Sequence, residues 1–174
     1  MSSITLYKSE TFQIRAHISV WVAELLLWLA LTLVARTFLD LTLTQAVLWG
    51  FLAALFHLEG SLLHHLGHAW AAQRTGYPMI GIRLWTLLGM SIYPKDEPEI
   101  PAALHRQRAW GGPMMSTGVA IIYLVLALLL RPVSPFWYYL LLFGFLDNFL
   151  IFTIGALTPL GFTDGSTLLR YRHD

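Results

Sequence analysis

Residues 60 to 76 read GSLLHHLGHAWAAQRTG, and three of the chain's seven histidines, His64, His65 and His68, fall within five positions of this apolar run. Imidazoles in such a setting need partners, because an unpaired buried polar group is costly. At 100° per residue, His64 and His68 lie about 40° apart and one helical turn from each other, so both can reach one metal ion. His65 projects about 100° from His64 and about 60° from His68, flanking the pair. His57 shares the stripe of His64 but lies two turns earlier, about 10 Å along the axis, too far to share an ion with it. The spacing matches H-E-x-x-H at both histidines, but His65 stands where that motif has the glutamate that acts as base in zinc hydrolysis. From spacing alone, metal binding, cofactor binding and hydrogen-bonded packing all remain open.

A metal ion needs a third ligand. With no cysteine in the chain, thiolate sites, iron–sulfur clusters and a cysteine nucleophile are excluded, leaving His, Asp, Glu or carbonyl oxygen. Asp164 is the candidate. It lies in ALTPLGFTDGSTLLR (156 to 170), where proline and glycine interrupt an apolar stretch and place a carboxylate at a helix break.

The elements that must position these groups are membrane helices. Charged residues make up 12% of the sequence and hydrophobic ones 56%, against about 25% charged in an average soluble protein, so the partner of this surface is a lipid bilayer. A formal charge of +1 gives no reason to expect nucleic acid. A spanning helix needs about 20 mostly apolar residues, and four stretches meet that length: about 17 to 37, 45 to 72, 112 to 130 and 136 to 158. Residues 78 to 93, PMIGIRLWTLLGMSIY, are shorter, contain Arg83, and are rich in strand formers. They read as a β-like hairpin or re-entrant segment. The sequence therefore predicts an all-α membrane protein with four transmembrane helices and one short β-like segment.

Charge bias predicts the orientation. With four spans, one side carries Lys8, Arg15, Arg74, Arg83, Lys95, Arg106, Arg108, Arg170 and Arg172, and the other carries Arg36 and Arg131. That asymmetry places both termini in the cytoplasm. Residues 1 to 16 are polar and precede an apolar run longer than a signal-peptide core, so the first helix is expected to remain in place. Residues 94 to 101, PKDEPEIP, read as a surface loop.

Beyond the histidines, the chain resembles the site-2 protease family of intramembrane zinc metallopeptidases. The segment HHLGHAWAAQRTGYPMIGIRL (64 to 84) is similar to that family's HELGH helix and following loop. GGPMMSTGVAIIYLVLALLL (111 to 130) is similar to its AGP-small-x-N/S helix, and ALTPLGFTDGS (156 to 166) to its NLLPxxPLDGG segment. The three signals stand in the family's order. The resemblance implies one membrane domain over residues 1 to 174, with a core over 45 to 172 and 17 to 37 as an added peripheral helix. It also implies zinc on His64, His68 and Asp164, and a β-like segment near the substrate path. The departures are His65 at the glutamate position, Ala156 at the asparagine position, and Thr163 and Ser166 around Asp164.

Three readings follow. The first is a degenerate member, a pseudo-protease that keeps the metal site and serves as a binding or structural subunit for transmembrane helices of other proteins. The second is an active zinc metallopeptidase in which His65, with a pKa naturally near 6.5, or another residue such as Asp147 serves as base. Glu59, about 140° round the helix from His64, faces elsewhere. The third is a subunit of a respiratory or photosynthetic membrane complex whose histidines ligate haem or a chlorophyll-type pigment.

Overall fold

The computed structural model describes residues 3–172. In chain order the elements are β1 (Ser3–Lys8), β2 (Gln13–His17), α1 (Ile18–Phe38), α2 (Leu43–Arg74), β3 (Gly81–Trp85), β4 (Leu88–Ile92), α3 (Ala102–Leu130), α4 (Pro135–Leu146) running on as a π-helical segment (Asp147–Gly155), and a short α5 (Asp164–Arg170). Four helices are long and apolar enough to cross a membrane: α1, α2, α3, and α4 with its π-helical continuation. Their number and order agree with the sequence expectation, and the fold is a multi-pass membrane bundle carrying a small sheet.

The most enclosed span is α2. Of its apolar window 44% is buried, against 11% for α1, which flanks the bundle. Thr42 starts α2 through a capping box, its Oγ1 accepting from the Gln45 N–H at 3.3 Å while Gln45 Oε1 accepts from the Thr42 N–H at 3.0 Å. The α1 helix is seated on α2 by the Trp28 indole N–H, which donates to the Val47 carbonyl at 2.9 Å. On the opposite side α2 meets α3 where both lack side chains. A Cβ built on Gly67 would overlap the Gly111 carbonyl, and one built on Gly111 would overlap the Gly67 carbonyl and Ala71. Small residues let the two backbones touch, which is how apolar helices gain packing energy in lipid. Gly67→Ala is therefore expected to cost about 1–3 kcal/mol through overpacking, read as a lowered unfolding midpoint of the detergent-solubilised protein.

Two features depart from the sequence expectation. The third span begins at Ala102, directly after Pro101, so Arg106 and Arg108 sit in its first turns and not in the preceding loop. Hydropathy marks where a helix enters hydrocarbon, and backbone hydrogen bonding carried this one further into its polar flank. The second departure corrects the all-α expectation. Residues 78 to 93 contain the expected hairpin, β3 and β4, but the polar N-terminal stretch adds β1 and β2, giving a four-stranded sheet in the order β1-β2-β3-β4. The link is the parallel pairing of β2 with β3, Gln13 opposite Gly81 through Ala16 opposite Leu84. A pairing across almost seventy residues leaves no local periodicity to read. The inward face of the sheet, Ala16, Ile82 and Leu84, packs with Val20, Ala72 and Met79 and against Leu58, Leu62 and Leu66 of α2, which lays the β3–β4 hairpin alongside the histidine turn.

Candidate metal centre

One turn of α2 supplies His64 and His68, and the first residue of α5 supplies Asp164. The interruption of the helix over Pro159 to Thr163 turns the chain back so that Asp164 meets the histidines. His64 Nε2 and His68 Nε2 are 3.1 Å apart, and Asp164 Oδ2 lies 3.2 Å from the former and 3.3 Å from the latter. Among the described residues this trio is a group of side chains able to hold a metal ion. A tetrahedral zinc with ligands at about 2.0–2.1 Å separates those ligands from one another by about 3.3–3.4 Å. The observed triangle is within a few tenths of an ångström of that.

The surroundings aim the right atoms inward. His68 Nδ1 lies 2.8 Å from the Arg108 carbonyl oxygen, which can only accept, so the ring proton is on Nδ1 and the Nε2 lone pair faces the trio. The Gly112 N–H also approaches Nδ1, at 3.2 Å, but a nitrogen donating to a carbonyl cannot accept from it. His64 Nδ1 lies 3.0 Å from Ser116 Oγ, a fully buried hydroxyl that can accept the ring proton and so leave the Nε2 lone pair facing the trio. Asp164 Oδ2 is buried without a hydrogen-bond donor. Room for an ion is kept by Gly112, where any Cβ would strike the Nε2 atoms of both histidines.

His65 is turned away from this group. Its Nδ1 lies 3.3 Å from Ser91 Oγ on β4, its ring stands at 88° to that of His64, and it fills the space above Gly89, where a Cβ would collide with it. Asp147 is not with the trio either: it pairs with His57 at 3.1 Å. Glu59 faces α3, accepting from the Tyr123 hydroxyl at 2.7 Å.

A cavity of about 240 Å³ opens on the centre, with His68 and Asp164 on one wall and Ser91, Glu97 and Arg108 on others. Arg108 is buried and bonds Glu97 through two contacts of 2.5 and 3.0 Å, donates to the Tyr77 carbonyl, and lies over the Tyr93 ring at 4.4 Å. The guanidinium holds the Glu97 carboxyl below the usual carboxylate range, and burial pushes the Tyr93 hydroxyl up to about 12. Arg108 thus ties the 94 to 101 loop to the helix whose carbonyl orients His68. The sequence carried Ser116 inside GGPMMS without assigning it a role, and Arg108 showed only as one more cytoplasmic-side charge.

The sequence matches no protein-family model and no curated protein. Comparison with solved structures is informative: the chain superposes on the Site-2 Protease from Methanocaldococcus jannaschii with a TM-score of 0.65 over 97% of this chain and 70% of that one, at 21% identity. The chain has a site-2 protease fold.

Proposed function

We propose that this chain is an intramembrane zinc-binding protein of the site-2 protease type whose peptidase activity is impaired, and that it serves as a binding or structural partner for other membrane helices. The observation carrying the metal half is the convergence of three lone-pair donors, His64 Nε2, His68 Nε2 and Asp164 Oδ2, with the His68 proton committed to the Arg108 carbonyl. Three acceptors facing one another repel unless a cation lies among them. His64, His68 and Asp164 would hold a zinc ion there, which would supply Lewis-acid polarisation of a carbonyl and activation of water. What this chain's own residues add is orientation by Ser116 and Arg108 and a polar cavity leading to the ligands.

The impaired half rests on His65. A general base must reach the water it deprotonates. His65 shares its Nδ1 with Ser91, and no carboxylate other than Asp164 lies in the ligand group. An active peptidase is the second reading, favoured by the complete His, His, Asp set and the open cavity.

Metal content, visible absorption and cleavage of a transmembrane model peptide, measured on one preparation, decide among these. Zinc without colour or cleavage supports the proposal. Zinc-dependent cleavage supports the peptidase, and a coloured cofactor without zinc overturns both in favour of a haem- or pigment-bearing subunit. The cytoplasmic placement of both termini is part of the proposal. Reporter fusions after Pro94 and after Arg172 are expected on the same, cytoplasmic side, and opposite sides would mean an odd number of crossings between them.

A further inference from the structure

A second buried polar cluster lies two turns along α2 from the metal ligands. His57 is 6% and Asp147 8% exposed. His57 Nδ1 lies 3.1 and 3.2 Å from the two carboxylate oxygens of Asp147, at the start of the π-helical segment, and His57 Nε2 lies 2.9 Å from the Leu87 carbonyl. Glu24 of α1 is near enough to interact electrostatically with both side chains. The depth of the cluster follows from length alone. The 32 residues of α2 span about 48 Å, the hydrocarbon layer takes about 20 of them, and any 20-residue stretch of Leu43–Arg74 includes residues 55 to 62. His57 therefore lies within hydrocarbon however the helix is placed.

The proton count is fixed by the partners. The Leu87 carbonyl only accepts, so Nε2 carries a proton and donates it there. The other ring nitrogen and Asp147 share one proton, and the pair is net neutral whichever side holds it. Leu87 and Thr86 form the two-residue turn between β3 and β4, and Thr86 has φ of 53°, a left-handed conformation unfavourable for a β-branched residue. The Thr86 N–H donates to Ser19 Oγ at 3.2 Å. The turn is thus held in a costly conformation by α1 on one residue and by His57 on the next.

We propose that His57 is a positioning residue: its bond to the Leu87 carbonyl pins the hairpin so that β4 holds Ser91 and Gly89 against His65 and walls the cavity over the metal centre. This deepens the zinc-centre reading and rests on it for the identity of what the wall covers. Without the bond the turn loses its second anchor and the hairpin becomes mobile, while His64, His68 and Asp164 keep their own partners.

The test uses the natural absence of cysteine. Nitroxides on Met90→Cys in β4 and Leu129→Cys at the end of α3, both exposed positions, report the hairpin-to-bundle distance in the full chain in lipid nanodiscs, with zinc affinity measured in parallel. In the His57→Leu/Asp147→Leu double variant both members of the pair are gone, so neither is left buried without the other, and the bundle is expected to fold. Its distance distribution should broaden at least twofold, with zinc affinity within about threefold of the parent. Asp147→Leu alone leaves neutral His57 free to donate to Leu87, and its distribution should stay narrow. A double variant as narrow as the parent, or an Asp147→Leu variant as broad as the double, overturns the assignment to His57. A parent that binds no zinc but shows the predicted widths would overturn the zinc reading and leave the anchoring role supported.

Discussion

Purified protein is expected to hold one zinc ion per chain, and Asp164→Ala to lose it. Structural zinc sites bind with about 10–16 kcal/mol spread over their ligands. Removal of one ligand from such a site therefore costs about 3–4 kcal/mol, on the order of a 100- to 1,000-fold fall in affinity. Asp164 is the informative position because its Oδ2 has no hydrogen-bond donor and lies on α5, outside the four spans, so its loss leaves the bundle's packing in place. His68→Ala should do the same, while Ser116→Ala, which removes only the group orienting His64, should cost about 10- to 100-fold. Competition with a chromophoric chelator orders the three variants. Equal affinity for zinc in the parent and in Asp164→Ala would show that the trio is not the binding site, and the contacts among the three side chains would then be a hydrogen-bonded cluster.

The second large effect concerns His65. If the missing glutamate is what limits hydrolysis, His65→Glu should produce zinc-dependent cleavage of a transmembrane model peptide that the parent lacks. A positioned general base contributes about 100- to 10,000-fold, enough to rise above background. A carboxylate accepts a proton without the strong pull toward zinc that a third imidazole in that turn has. The substitution also releases Ser91, which the His65 ring now engages at 3.3 Å, and replaces a ring that fills the space above Gly89 by a narrower chain. The variant must therefore be checked for zinc stoichiometry alongside cleavage. Cleavage already present in the parent and unimproved by His65→Glu would replace the impaired reading by that of an enzyme with a different base.

Much of the site was legible because it is local or punctuated. His64 and His68 are one turn apart on one helix, and helical geometry alone puts them on a common face. Asp164 was marked by the proline and glycine around it. Four spans followed from hydropathy, since a bilayer imposes a length on every apolar helix. The motifs in their order were enough to suggest the fold that structural comparison then supported at 21% identity.

What only the tertiary structure decided are relations between distant segments that obey no period. The pairing of β2 with β3 joins residues 13 to 16 with 81 to 84. The rotation of His65 toward Ser91 depends on where that sheet comes to rest. Arg108 read as a loop cation, but it is a buried residue whose carbonyl fixes the proton of His68. From the sequence, His57 stood too far along the helix to share the ion and Asp147 was a candidate base; ninety residues apart, they pair with each other, with Asp147 at the start of the π-helical segment. Local sequence sets which groups share a helical face; the packing of helices and sheet sets which faces meet, and so determines each side chain's partner and proton.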